Sequence, residues 1–477
     1  MKLCLLSGIS LVVSAYCLLA NSSDMYEYIF ILPLLYSVVS ALFFISIGSK
    51  RTYHLGLVYY FSIALIFVRY VITPFFTVYS NGLAQWGWGP DPSPQAMLQA
   101  IALMSLEEIA VFATLYIAIR HYSRIVPDAL WHQKVDAYGE HMGIIAIYGI
   151  LAFLLTLAVK PALVLPANVN SDNVRTVAVR RAEDTAGSGI FVILGDTSKI
   201  VLFCVLLILC KRAYDRWNSG IFIFCAIVVV FFNVYFNISV TRMRIIFAVV
   251  IGLYFLNLLF KKIPITVYII AVTICAVAFI NISLFKFSYA LNGTNDVQLM
   301  LATMTAQFQD YFAGPRLVGQ MIDMYSVYHN QIGLSTFFND FLGSTPFVSN
   351  YVDQTNRINY YFNIYNGIHN ATLIAPVLGT GYCYFPPFPF FFTMLFEFFA
   401  IKLDASMSST SRISYRYLYA YMGYSCAMCM GYSTQNIFAF FVSAFIPLLI
   451  LLKINDWLIV RFKDSRVLTT HAIMQRT

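Results

Sequence analysis

The sequence predicts an all-α polytopic membrane protein of about 12 transmembrane helices with a large, partly helical loop on the outer side. Three observations carry this. Hydrophobic residues make up 60% of the 477 and charged ones only 11%, far from the balance of a water-soluble domain. The mean hydropathy is +0.74. Apolar runs of bilayer length recur along the chain, and Lys and Arg distribute unevenly between the loops that join them.

The first run, 3–20, has the look of a secretory signal, but a second apolar run follows too soon for an exported soluble domain, so it is read as a span. Further spans are expected at 27–48, 55–78, 97–119, 142–159, 190–210, 220–240, 245–260, 264–285, 382–401, 416–433 and 436–452. Threading them with the N-terminus inside puts 19 Lys and Arg in cytoplasmic loops and 9 in outer ones, which favours this orientation over its reverse. The expected organisation is then 1–285, nine spans with an Arg-rich outer loop at 160–189; 286–381, a large outer loop; 382–452, three spans; and 453–477, a cytoplasmic tail. The 286–381 loop exceeds what a connector needs and must have structure of its own. Apolar residues at helical spacing from Asn295 to Tyr325 predict helices broken at Gly314-Pro315. The stretch from Leu342 to Tyr384, rich in Gly, Asn, Tyr and Pro, reads as an irregular lid lying on the membrane surface.

Seven of the nine outer basic residues are arginine, against ten of the nineteen inner ones. Arginine offers a planar fork to phosphate or carboxylate, so Arg175, Arg180, Arg181, Arg242, Arg244 and Arg316 are candidates for binding an anion. The alternative is pairing with Asp172, Glu183, Asp184, Asp310 and Asp353, or contact with lipid headgroups. Arg69, Glu107 and Glu108 share a depth inside adjacent spans and are expected to form a buried ion pair; Asp196 and Lys199, three apart on one helix, can pair with each other. His369, in a Gly- and Asn-rich outer stretch, is the candidate general base, with a structural histidine as the alternative and His329 as second choice. The nine cysteines lie almost entirely in apolar runs and act as small hydrophobes, so no disulfide framework or metal site is expected. The sequence has no Walker loop, nucleophile elbow or His-Glu-x-x-His, and no cofactor is expected. A net charge of +8 is too small to suggest nucleic acid.

Arg175 to Gly189, Thr241-Arg242-Met243-Arg244 and Asp310-Tyr311-Phe312-Ala313-Gly314-Pro315-Arg316 resemble segments of the bacterial oligosaccharide repeat-unit polymerases, the Wzy-type O-antigen and capsule polymerases. His369-Asn370 with Gly379 and Gly381 is similar to a motif of the related O-antigen ligases. The resemblance implies a membrane-embedded glycosyltransferase of the bacterial inner membrane with both termini cytoplasmic. It would polymerise undecaprenyl-diphosphate-linked repeat units on the periplasmic face, without a metal, to O-antigen or capsular polysaccharide. It further implies that the arginines bind the diphosphate, that His369 is the base, and that Arg357, Tyr360, Tyr361 and Tyr365 hold glycan. Its implied partners are the lipid-linked oligosaccharide, membrane lipid, and a chain-length regulator and flippase of the same pathway. The alternatives are a ligase that moves glycan to lipid A core, a polysaccharide flippase, and a structural membrane subunit.

The charge split generates a test of orientation. A single cysteine in place of Asn295, in a background without the native cysteines, is expected to react with an impermeant thiol reagent in intact spheroplasts, and one in place of His132 is not. The opposite pattern would turn the arginine-rich loops to the cytoplasm.

Overall fold

The structure is a computed structural model that describes residues 4–52, 55–82, 89–127, 135–138, 140–165, 189–236, 242–260, 263–270, 273, 297–346, 348–368 and 373–474. The fold is all-α, with no strand among the described residues. Five helical stretches are long and apolar enough to cross a membrane: Asp24–Gly48, Leu57–Tyr79, Pro94–Ile125, Gly189–Trp217 and Thr434–Val460. Shorter apolar helices accompany them at Cys4–Ala20, Gly143–Val159, Ile221–Phe236 and Ile245–Leu259.

Burial follows the rule of a lipid solvent. Helix α1 (Cys4–Ala20) buries Ser7, Ser10, Ser14 and Cys17, while Leu5, Leu11, Val12, Leu18 and Leu19 face outward. Against lipid tails a leucine gains nothing by turning inward, whereas hydroxyls and small side chains allow close, hydrogen-bonded helix packing. Ser7 and Ser40 accordingly share a hydrogen bond of 2.7 Å between α1 and α2 (Ile31–Thr52), and the Ser14 hydroxyl donates to the Phe30 carbonyl at 3.0 Å.

The chain divides into two compact units. The first comprises Met1–His132, Ser283–Ser409 and Met422–Phe440. In it, α3 (Leu57–Phe67) runs through a π-helical segment, Val68–Ile72, into α4 (Thr73–Tyr79). Pro74 explains the widened turn: it has no N–H to continue the α ladder, and the Thr73 N–H bonds back five residues to Val68. Helix α5 (Pro94–Ile125) starts with proline in its first turn and with Ser93 as N-cap, whose hydroxyl accepts the Ala96 N–H at 3.2 Å. The second unit comprises Gln133–Ile282, Thr410–Tyr421 and Phe441–Thr477. It contains α6 (Gly143–Val159), α7 (Gly189–Trp217), α8 (Ile221–Phe236) and α9 (Arg242–Leu259). Tyr148 and Thr197 share a 2.8 Å hydrogen bond between α6 and α7. Lys199 turns its ammonium to the Leu163 carbonyl at 2.8 Å.

The long loop segment behaves as folded protein within the first unit. Helices α10 (Val297–Tyr311) and α11 (Pro315–Tyr328) meet at a corner where Ala313 takes φ 46° and Pro315 opens α11, the break expected at Gly314-Pro315. The expectation of an irregular lid over 342–384 is corrected from Ile358 onward. Following α12 (Leu334–Leu342), that stretch forms α13 (Ile358–Tyr365) and α14 (Val377–Tyr384). They form because Ile358, Tyr361 and Phe362 join Leu317, Met321 and Met324 of α11 and Leu373, Ala375 and Cys383 in one apolar core.

The span expected at 382–401 is also corrected. Tyr384 ends α14, and α15 begins only at Phe391 and runs to Ser409. Pro386, Pro387 and Pro389 cannot sit in a helix interior, so the apolar run folds as two helices around a tight turn. That turn brings the Pro389 carbonyl against Gly381, where a Cβ would lie 1.8 Å from the oxygen. Both sides of the contact are backbone. Gly381→Ala is therefore expected to cost about 1–3 kcal/mol and lower the thermal midpoint of the purified protein. Gly143→Ala, where a Cβ meets nothing within 4 Å, serves as control and leaves it unchanged. Equal midpoints for the two variants would show that the turn opens freely.

Candidate functional site

Polar side chains of the first unit gather at three places. The deepest is in the predicted spans. Arg69, on the π segment, is fully buried and donates to Glu107 of α5 at 2.7 Å. The same carboxylate accepts from the Tyr70 hydroxyl at 2.8 Å and the Thr393 hydroxyl of α15 at 2.6 Å. The expected ion pair is thus present and takes Glu107. Glu108, one residue on and about 100° around the helix, is fully buried with no hydrogen-bond partner on either carboxylate oxygen. Glu397 of α15 accepts from Ser62 at 2.9 Å and lies 3.8 Å from the Cys429 sulfur.

The second place is the α10–α11 corner. Arg316 is almost wholly buried: its Nε donates to Asp91 at 2.9 Å and its Nη2 to the Gly89 carbonyl at 3.1 Å, leaving Nη1 without a partner. Gly89 has φ 76°, and a Cβ there would lie 1.8 Å from the Asn366 side-chain oxygen. Gln309 ties the corner down: its amide donates to Thr77 at 2.8 Å and its carbonyl accepts the Arg316 N–H at 3.2 Å. Asp310 has one carboxylate oxygen shut off from solvent with no hydrogen-bond partner. Burial pushes Asp310 up to about 7, against the opposing pull of Arg316.

The third place joins α12, α13 and α14. Asp340 accepts from the Tyr384 hydroxyl at 2.5 Å, from the Ile358 N–H at 3.3 Å and from Arg357 at 3.5 Å. Burial raises the Asp340 carboxyl, while the Tyr384 hydrogen bond and Arg357 oppose it. Asp353, exposed, is held low by the Thr355 hydroxyl and N–H.

The second unit has its own polar node. Glu140 accepts the Ile413 and Ser414 N–H groups at 2.9 and 3.0 Å and so caps α16 (Ile413–Ala427). A cavity of about 260 Å³ adjoins it, lined by Glu140, the Arg412–Asp456 ion pair and the apolar Ile145, Leu452 and Ile459.

The residues singled out from sequence distribute as follows. Arg316, Arg357, Tyr360, Tyr361, Tyr365 and His329 belong to the first unit. Arg316 and Arg357 are each engaged by an aspartate, Asp91 and Asp340, rather than by Asp310 or Asp353. Tyr361 is a core residue whose hydroxyl donates to Asn356 at 3.3 Å, Tyr365 packs on the same core, and Tyr360 is exposed. His329 is exposed, with Nδ1 3.1 Å from the Ser326 carbonyl. Arg242 opens α9 and Arg244 follows in its first turn, within the second unit; their side chains lie outside the described residues. Arg175, Arg180, Arg181 and His369 also lie outside them. Sequence reasoning missed Glu140, Asp340 and Glu397. Glu397 stands alone in the run Phe391–Ala400, a visible signal; the others are recognised only by partners far along the chain.

Asp310 generates a test. Its carboxyl moves from the usual 3.8 to about 7 on folding, so folding favours the proton. That contribution is present in full below the unfolded value and is lost as pH rises through the folded one. Asp310→Asn removes it. The variant is expected to gain thermal stability relative to the parent between about pH 4 and pH 8, with a constant difference below that window. Parallel melting curves across it would show Asp310 to be solvated in the folded protein. Comparison with known proteins finds no counterpart: no family model, no curated protein and no solved structure matches the chain.

Proposed function

We propose that the chain is a membrane-embedded glycosyltransferase. It joins undecaprenyl-diphosphate-linked oligosaccharide repeat units into O-antigen or capsular polysaccharide on the periplasmic face of the bacterial inner membrane. This reading takes about twelve spans, cytoplasmic termini and a periplasmic 286–381 segment. The observation that carries it is that segment. Its described part folds around an apolar core and holds a buried arginine with an uncommitted Nη1 at the α10–α11 corner. A mere connector between spans needs neither. The surplus of arginine over lysine in the same loops supports an anionic ligand.

In the proposed reaction a hydroxyl oxygen at the non-reducing end of the acceptor bonds to the anomeric carbon of the donor glycan. The bond from that carbon to the diphosphate breaks, and undecaprenyl diphosphate leaves with its electron pair. The acceptor proton passes to His369. Charge gathers on the diphosphate in the transition state, where Arg175, Arg180, Arg181, Arg242, Arg244 and Arg316 stabilise it as fixed donors.

The test is deletion of the gene followed by gel analysis of surface glycan. A ladder reduced to single repeat units on core supports the polymerase. Bare core with accumulated lipid-linked polymer would make the protein a ligase, unflipped repeat units would make it a transporter, and an unchanged ladder would remove it from the pathway. In the complemented strain, Arg→Lys at Arg175, Arg180, Arg181, Arg242 and Arg244 keeps charge but loses the fork. At least two of the five variants are expected to lose the ladder at normal protein level.

A further inference from the structure

Helix α12 is inside out for a helix on a protein in water. Its most buried side chains are polar, Thr336 and Asp340, at 0% and 3% exposure, while Leu334, Phe338 and Leu342 stand 77%, 57% and 45% exposed. At four-residue spacing these three form one stripe within about 80° of the helix circumference.

The polar face cannot be rotated outward without loss. Thr336 donates to the Asn356 side chain at 2.7 Å, and Asp340 holds Tyr384, Arg357 and the Ile358 N–H. Phe337 and Phe341, beside the stripe, seat the helix. Phe337 lies 5.1 Å from Tyr384, and Phe341 lies 4.3 Å edge-on to Phe438 of α17 (Thr434–Phe440) and 6.2 Å from Phe392 of α15. Thr434 opens the apolar stretch Thr434–Val460, long enough to cross a membrane. So α12 packs where that stretch starts and beside the first turn of α15.

The stripe also continues into a second exposed group. Phe337 contacts Phe385, which contacts Phe391, which contacts Phe388, and the last three are exposed on the proline turn that leads into α15. A contiguous patch of this many large apolar side chains is not left to water. Its contact through Phe341 with the apolar stretch Thr434–Val460, and the absence of any Lys, Arg or Glu from α12, match acyl chains.

We propose that α12 is an interfacial helix whose Leu334–Phe338–Leu342 stripe lies among the acyl chains of the bilayer. Its polar face then holds the Asp340–Arg357–Tyr384 cluster at the membrane surface. This rests on the membrane character of the chain alone, so failure of the glycan reading leaves it standing.

The test places the photoreactive residue p-benzoylphenylalanine at Phe338 or, as reference, at the exposed Tyr351. The full chain is reconstituted in phosphatidylethanolamine and phosphatidylglycerol vesicles, irradiated and weighed intact. Both positions are exposed, and an unchanged melting midpoint verifies the fold. Expected is an adduct of one phospholipid at 338 and none at 351. No lipid adduct at 338, equal adducts at both positions, or a cross-linked dimer in place of the adduct would each overturn the proposal.

Discussion

Three elements of the first unit meet at one carboxylate. Glu107 of α5 takes Arg69 and Tyr70 from the π segment and Thr393 from α15. Removing either partner of a buried ion pair leaves an uncompensated charge, worth about 3–5 kcal/mol in globular interiors. The geometry follows from this constraint. The π turn supplies the extra residue that Pro74 makes necessary, and the segment it widens carries Arg69 and Tyr70 to the same carboxylate. The pair compensates Arg69 and Glu107, while Glu108 beside them is buried with neither oxygen hydrogen-bonded. Arg69 meets Glu107 through Nη2, inside the protein, and the exposed large apolar side chains are mostly Leu, Ile and Phe.

The same economy recurs away from the spans. At the α10–α11 corner Gln309 is shared between Thr77 and the Arg316 backbone, and Arg316 between Asp91 and Gly89. The corner thereby fastens to the loop that precedes α5. Asp323 reinforces it by accepting the Ser93 N–H at 2.6 Å and hydroxyl at 2.8 Å, which ties α11 to the N-cap of α5. In the second unit Glu140 does for α16 what Ser93 does for α5, at far longer range along the chain. Polar contacts thus place the helices, while apolar contact fills the space between them.

Much of this was legible in the sequence where one physical rule dominates locally. The run read as 3–20 appears as Cys4–Ala20, that at 142–159 as Gly143–Val159, and the Gly314-Pro315 break lies where proline demands it. Reading failed where two rules compete. The apolar run from Tyr382 suggested one span, but the prolines at 386, 387 and 389 outrank hydropathy and divide it. The Gly- and Asn-rich stretch after Leu342 suggested irregular chain, yet Ile358, Tyr361 and Phe362 at helical spacing win by filling a core. The site was legible only in part. Arg69 and Glu107 could be matched by depth, whereas Asp340 with Tyr384 and Ser62 with Glu397 are 44 and 335 residues apart and leave no local trace.

The three bonds to Glu107 differ in when they can form. Arg69 and Glu107 are 38 residues apart, so both leave the ribosome early and can pair before the rest of the unit exists. Thr393 follows Glu107 by 286 residues, an interval of roughly 15–60 s at ordinary translation rates. During that time the second carboxylate oxygen has no Thr393 to bond. The order of synthesis therefore lets the ion pair tie the π segment to α5 first, and makes the late hydroxyl the latch that closes the first unit once its final third has been made.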